Sequence, residues 1–482
     1  MTCYFQYPAS EDGLRDPNIV GWDPKDPEHP YSWPRGRTRL NLVLISGMTF
    51  LTPLASSIFA PGVPQLTKEF HSSSPVIASF VVSVYLLGFA AGPLILAPLS
   101  ELYGRLPVYH LSNVGYLAFT IGCALAPAPD INTLIGFRLL AGLFGSCPLT
   151  IGAGSINDMV PQEKRTTAIA FFAIGPLLGP VIGPVAGGFL AGAKGWRWTL
   201  WIMAIASGTW SLLALAVMSE TYHPLLLRRK VAALRKATKN ENLRSEFDLD
   251  SDTSAPVKRN LVRPFRLLAS SPVMIILSLY IAVTYGYLYL MFTTITPVFQ
   301  ETYHFSTSIV GLAFLGLGIG SVLGIAVYAT VSAYYSKRRP NTEQEEPPKP
   351  EERLIPLPVG AVLLPGGLFL YGWTAQHHVQ WIVPIIGMGL TGAGSIVIFM
   401  GILSYLIDAF TIYSASAIAA NSVVRSIASA VLPLAGLPLY QRLGVGWGNS
   451  VLGFIALTFI PVAILVLRYG GYLRQRFQVN DL

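Results

Sequence analysis

Charge is scarce in this 482-residue chain. Asp, Glu, Lys and Arg make up 12% of it, where a soluble globular domain carries roughly 25%. Apolar residues make up 52%, and the mean hydropathy is +0.52. Such a chain cannot cover a surface facing water, so a lipid bilayer is its expected solvent. Cysteine is scarcer still. Cys3, Cys123 and Cys147 are too few for a disulfide framework or a cysteine metal centre, and the last two fall in apolar runs and read as packing residues. No nucleotide-binding loop, no His/Asp metal cluster within an apolar run and no Ser/His/Asp set is present, which argues against a membrane-embedded enzyme and against any bound cofactor. Filter loops and charge-lined pores are missing as well, which argues against a channel. The first 38 residues are polar and Pro-rich, so no cleavable signal is expected; the first apolar run should insert as an internal signal-anchor.

Apolar runs long enough to span a bilayer need about 20 residues. Twelve are expected, near 40–61, 76–98, 106–127, 131–155, 167–192, 197–218, 272–296, 309–332, 355–374, 381–405, 413–439 and 448–469. The fold class is therefore an all-α polytopic membrane protein with twelve helices in two six-helix bundles. The divisions are a tail (1–38), a first bundle (39–218), a linker (219–271), a second bundle (272–469) and a closing tail (470–482). The net charge of +8 would suggest nucleic acid in a soluble protein. Here the bases sit between the apolar runs, and alternate segments hold 27 of them against 4 on the opposite side. The positive-inside rule then places both termini in the cytoplasm, and the anionic leaflet, not nucleic acid, is the partner of these bases. In the linker, RRKVAALRKATK reads as a basic amphipathic helix on the membrane surface, and SEFDLDSDTS reads as disordered. The segment 336–353 also reads as disordered.

The halves carry traces of a repeat. Ser100-Glu101-Leu102-Tyr103-Gly104-Arg105 follows span 2, and Ser332-Ala333-Tyr334-Tyr335-Ser336-Lys337 follows span 8. Serine, tyrosine and a base recur in register, and duplicated halves around a central cavity are a transporter architecture.

Four stretches carry candidate function. An acid and a base at the junction after span 2 (Glu101, Arg105) can bridge neighbouring helices, with Gly104 allowing the turn; an ordinary charged loop is the simpler alternative. In span 5, Gly175, Gly179, Gly183 and Gly187 recur every fourth residue beside Pro176, Pro180 and Pro184. The glycines form one flat stripe for close helix approach, and the prolines should bend or soften the helix. In span 4, Arg138 is an intramembrane charge, functional by default unless it reaches the interface by snorkelling. In span 11, Asn421 and Arg425 share a helix face, as a binding pair or a structural one. In span 7, Tyr285, Tyr289 and Phe292 also share a face; they either pack the core or line a cavity for flat organic molecules. Thr52, Ser56 and Ser57 of span 1 are weaker candidates.

These residues resemble the major facilitator superfamily, and more narrowly its fungal twelve-span drug:proton antiporters. The run Gly92–Pro107 resembles the superfamily's signature loop, with Glu101 where Asp is commoner and Leu106 where a second Arg is usual. The glycine–proline pattern of span 5 resembles the exporter motif, and Arg138 matches the span-4 arginine. The run from Asp408 through Tyr440, the lead-in from Gly21 to Pro34 and Ser219-Glu220-Thr221-Tyr222-His223-Pro224 also resemble fungal members. The resemblance implies that Arg105 pairs with Asp158 and that Glu101 faces the N-terminal end of span 11, together latching the halves. It implies a monomeric carrier that exports small amphipathic compounds in exchange for protons, with a proton gradient as energy source and the plasma membrane as its place; a vacuolar membrane is the alternative. Uptake or sequestration of a polar solute such as a polyamine, or a non-transporting sensor, are the other readings. No Asp, Glu or His is expected deep in a span, and all seven His read as loop or tail residues; the sequence identifies no proton site, and Asp158 and Glu101, coupled through Arg105, are the nearest candidates.

Overall fold

The computed structural model describes residues 18–23, 26–248, 255–338, 349–410 and 414–476. Eleven apolar helical stretches are long enough to cross a membrane. Ten of them each form one span: Arg35–Glu69, Pro75–Tyr103, Arg105–Leu125, Ile131–Met159, Gln162–Lys194, Arg197–Val217, Pro272–Tyr303, Thr307–Lys337, Pro350–Gln376 and Ile382–Ala409. The eleventh, Ser416–Tyr472, has 57 residues and as one straight helix would reach roughly 85 Å. It turns back at Gly444, whose φ of 77° breaks the helix. Across that turn the Tyr440 hydroxyl donates to Asn449 Oδ1 at 2.9 Å. Gly444 therefore divides this stretch into spans 11 and 12, and the expected twelve are present.

Breaks follow the sequence. Span 4 is interrupted at Ser146, just before Pro148, and span 8 at Phe314. Span 5 runs unbroken from Gln162 to Lys194 through all three prolines. Cys123 and Cys147 are buried, as packing residues should be.

The pairing of helices shows the duplication directly. In the first half span 1 packs on 5, 2 on 4, 3 on 6 and 3 on 4; in the second half 7 packs on 11, 8 on 10, 9 on 12 and 9 on 10. Each pair is matched by the pair six spans later. Two seams join the halves, span 2 with 11 and span 5 with 8, and the same exchange converts one seam into the other. The linker's bundle end is here called the linker side, and the opposite end the far side. Direct contacts between halves gather toward the far side. Ser83 donates to the Ala430 carbonyl at 2.8 Å, and an added Cβ on Gly188 would stand 2.8 Å from Gly311 Cα.

The linker and tail are more ordered than their composition suggests. The basic segment forms the expected helix, His223–Thr238, but Leu227 and Val231 are buried, so its apolar face packs on protein. Arg244–Ser245 pairs in parallel with Ile19–Val20, and Glu246–Asp248 forms a 3₁₀ turn. The start of the acidic stretch, expected to be disordered, is thus pinned to the N-terminal tail; residues 249–254 lie outside the described residues. Of the segment 336–353, residues 339–348 lie outside them too, while Pro350–Leu354 forms a 3₁₀ turn.

The glycine stripe of span 5 lies against span 1. A Cβ on Gly175 would sit 2.9 Å from Phe50 N, on Gly179 2.9 Å from Leu54 N, on Gly183 2.9 Å from the Leu54 carbonyl oxygen, and on Gly187 1.8 Å from the Ile58 carbonyl oxygen. Helices in lipid gain little from hydrophobic exclusion and associate by close packing, so each added methyl forces the pair apart. Gly187→Ala is expected to cost roughly 1–3 kcal/mol, read as a lowered thermal midpoint of the purified protein. Gly366→Ala, at a position with nothing within 4 Å, is the control and should leave the midpoint unchanged; equal midpoints for the two variants would refute the packing account.

Candidate functional site

The junction after span 2 is built as a helix start held from outside. Gly104 has φ 96° and supplies no side-chain cap for span 3. The cap comes from Glu220, after span 6. Its buried carboxylate accepts from Arg105 N at 2.9 Å, Leu106 N at 3.1 Å, Thr221 N at 2.9 Å and Tyr222 N at 2.9 Å. An anion at a helix N-terminus satisfies orphan donors and complements the helix dipole. A side chain at position 104 would collide with Leu225 and Glu220, which accounts for the glycine.

Arg105 then reaches into the first bundle. Its Nε lies 3.2 Å from Asp158 Oδ2, Nη1 donates to Ser100 Oγ at 2.6 Å, and the guanidinium lies 4.9 Å from the Tyr222 ring. The implied Arg105–Asp158 pair is present. Glu101 is exposed at the end of span 2, and burial followed by its charge push the Tyr222 phenol up. Residues 411–413, before span 11, lie outside the described residues. The second half carries a counterpart, Arg353 Nε with Asp408 Oδ2 at 2.7 Å. Arg353 lies well beyond Lys337, the base that the sequence register had matched to Arg105.

The N-terminal tail packs on this junction. The His29 ring stands 4.7 Å from that of His223 and 4.9 Å from those of Trp22 and Tyr31. Asp26 pairs with Lys230, and His223 Nε2 contacts the Asp158 carbonyl. Burial and then the neighbouring His223 hold the His29 imidazole down to about 4, against a smaller opposing pull from Asp26. Its Nδ1 accepts from Tyr31 N at 3.1 Å, which requires the neutral ring.

At mid-depth the intramembrane candidates separate into two groups. Arg138 is 2% exposed. Its Nε donates to the Val81 carbonyl at 3.1 Å, and its two Nη to those of Ala55 and Val82 at 3.4 Å, and it packs over the rings of Phe59 and Tyr85 at 4.8 and 5.2 Å. The sequence offered it as a cavity residue or as one snorkelling to the interface; at this burial it does neither in this structure and straps span 4 to spans 1 and 2, because carbonyl oxygens are the acceptors within reach.

Arg425 is different. It is half-buried, with its guanidinium 4.6 Å from the Tyr285 ring and 5.5 Å from that of Phe399, and these rings lie 5.1 Å apart. No described carbonyl or carboxylate accepts a hydrogen bond from it. One turn further along span 7, Tyr289 meets Ser56 of span 1 at 3.1 Å between hydroxyl oxygens, so the face that Tyr285 shares with it looks toward the other half. Phe292 continues this face, 5.3 Å from Tyr289 and 5.9 Å from Phe314. Asn421 is 1% exposed, and its Oδ1 has no hydrogen-bond partner. Thus Tyr285, Tyr289, Phe292 and Arg425 come together and Ser56 joins them; Arg138 is near enough to Tyr289 for its charge to be felt there, but its donors are taken by carbonyls. Ser57 bonds back to the Leu54 carbonyl of its own helix, and Thr52 Oγ1 lacks a partner.

Phe399, which with Tyr405 makes up the aromatics of Ile382–Ala409, and the capping role of Glu220 carry no signal in the sequence. His110, expected in a loop, lies inside span 3 five residues from its start. Among the described residues no cluster of metal-ligating side chains occurs. A groove of about 590 Å³ beside spans 8 and 10 is lined wholly by apolar residues and glycine and offers no polar group to orient a ligand.

Two six-helix halves related by exchange, with aromatic and basic groups at mid-depth, are the architecture of a membrane transporter. The family model of the Major Facilitator Superfamily matches residues 45–433, and the chain belongs to that superfamily. It is similar along nearly its whole length to fungal proteins. MFS-type transporter tndD of Aspergillus flavipes is 52% identical over 468 residues, covering 96% of this chain and 87% of the relative. Efflux pump radE of Floropilus chiversii is 48% identical over 469 residues, covering 97% and 87%. Among solved structures, a D-xylose-proton symporter superposes with TM-score 0.64 at 15% identity, covering 88% of this chain and 97% of that one. A bacterial homologue of the human lysosomal transporter Spinster gives 0.65 at 14%, covering 93% and 100%. At these identities the structural likeness shows the fold alone.

Two outcomes test the linker-side network. Glu220→Ala strands four N–H donors and is expected to cost about 2 kcal/mol or more, seen as a lower thermal midpoint, with Glu220→Gln intermediate. Docking of the tail should depend on pH. The His29 pKa is lower in the folded state than its ordinary 6.5, so the docked tail binds fewer protons than the free one. Its stability is complete above about 6.5 and is lost as pH falls toward about 4. Hydrogen-exchange protection of residues 26–33, corrected for intrinsic rates, should fall across that window, and His29→Gln should flatten the profile.

Proposed function

We propose that this protein exports small amphipathic organic compounds by alternating access, in exchange for protons, from a cell whose cytoplasm faces the linker side. The observation that carries the reading is 48% identity over nearly the whole chain to a protein named an efflux pump, on a fold whose two halves meet at exchangeable seams. In this orientation the termini are cytoplasmic, the seams close the exterior side, and the Arg105–Asp158 and Arg353–Asp408 pairs lie at the cytoplasmic ends of the halves. The protein acts as a monomer in the plasma membrane. The aromatic face of span 7 supplies a stacking surface for flat apolar substrates. Glu101, Gly104, Arg105 and Asp158 serve the conformational change, with Asp158 the carboxylate placed to couple it to protonation. The span-5 motif lets spans 1 and 5 move as one close-packed unit. Accumulation of a polyamine fits poorly, because a cation at mid-depth would meet arginines and no carboxylate.

The test is transport in energised membrane vesicles offered a panel of fluorescent dyes and fungicides. Export should stop when the pH gradient is collapsed, and Arg105→Ala should slow it severalfold at equal protein level. Export that persists without the gradient removes proton exchange from the reading; a chain that moves none of the compounds removes efflux altogether.

A further inference from the structure

The charge at mid-depth narrows the chemistry of the substrate, if the central site is the export site proposed above. Within the middle of the twelve spans the charged side chains are Arg138 and Arg425, with no Asp, Glu or Lys. Every described carboxylate lies near a helix end or outside the spans. The two arginines are in opposite condition. Arg138 spends its donors on three backbone carbonyls. Arg425 lies eleven residues into the helix that starts at Ser414, roughly 16 Å along its axis, and is held by the ring faces of Tyr285 and Phe399 and by the Tyr285 hydroxyl.

A guanidinium resting on Tyr285 and Phe399, with one donor toward the Tyr285 hydroxyl, keeps most of its five N–H donors available, and that fork matches a carboxylate or phenolate. Burying a charge without a partner is costly in lipid, and aromatic faces compensate only part of that cost. One helical turn before Arg425, the Asn421 carbonyl oxygen is buried without a donor; one turn after it, the Ser429 hydroxyl is buried without a partner. Positions 421, 425 and 429 fall on one helix face. This face therefore presents a cationic fork with open donors, flanked by unsatisfied polar atoms, next to the rings of Tyr285, Tyr289, Phe292 and Phe399.

We infer that the transported compounds are organic anions, a flat conjugated or aromatic body bearing one acidic group, and that Arg425 is the seat of that group. The body stacks among the span-7 and span-10 rings, and Asn421 and Ser429 provide the polar contacts that select among such acids. Arg138 takes no part in recognition.

The decisive measurement is equilibrium binding of radiolabelled 2-naphthoate to the full chain in lipid nanodiscs, with 2-naphthamide and 2-naphthylmethylammonium as competitors of similar shape. The unaltered chain should bind the carboxylate roughly tenfold or more tightly than the amide, and the ammonium least. Arg425→Gln should lower naphthoate affinity by roughly tenfold or more and leave the amide unchanged, and Arg425→Lys should fall between. The ranking of the three compounds needs no variant, so it decides the matter even where a variant fails to fold. Equal binding of carboxylate and amide, preference for the ammonium, or no binding of any of the three overturns the inference. Dye export in vesicles keeps the two readings apart: neutral or cationic dyes exported by a chain that fails the ranking leave efflux standing and remove only the anionic class.

Discussion

The close approach of helix backbones across small residues is the constraint on which the rest of this fold depends. In lipid, apolar side chains gain little by facing one another instead of acyl tails, so helices must associate through packing. Glycines at the helix contacts show how this is met. Gly187 brings span 5 to within a missing methyl of the Ile58 carbonyl, and Gly320 does the same for span 8 against the Gly389 carbonyl. Gly188 and Gly311 face each other where the halves meet. Pairs within a half and pairs between halves use the same device, with no large interlocking side chains at these points. A seam of this kind can part and close again without unpacking a core, which a carrier that exposes its site alternately to two sides requires.

Charge follows from the same solvent. Carboxylates are kept to the ends of the spans, where Glu220, Asp158 and Asp408 bind helix starts or arginines. The two arginines left at depth illustrate the two ways of holding a charge in lipid. Arg138 is satisfied by carbonyls and becomes a strut, whereas Arg425 rests on ring faces and retains hydrogen-bonding capacity. An anionic substrate would also bear on the energy source. A membrane potential of 100 mV is worth about 2.3 kcal/mol per charge, and an inside-negative cell expels anions down that potential.

Much of the candidate site was legible because it rests on local pattern. The stripe at 175, 179, 183 and 187 needed only the period of the helix, and the Arg105–Asp158 pair needed only the motif. Three things were not legible. Glu220 lies 115 residues from the backbone it caps, and nothing near it in sequence announces that partner. The pairing of Arg353 with Asp408 replaced the register match to Lys337, because the loop after span 8 is longer than that after span 2. Arg138 and Arg425 look alike in sequence, and only their neighbours separate them.

The amino-acid sequence by itself determined the number of spans, the placement of bases between them and the division into halves, since these depend on summed hydropathy and on charge counts, which are properties of composition along a line. Tertiary structure decided which arginine spends its donors on carbonyls and which keeps open donors beside aromatic rings, which carboxylate caps span 3, and that His29 is sheltered against His223. Those outcomes depend on which acceptors, rings and charges lie within a few ångströms, and distances between residues far apart in the chain are set by how the helices pack.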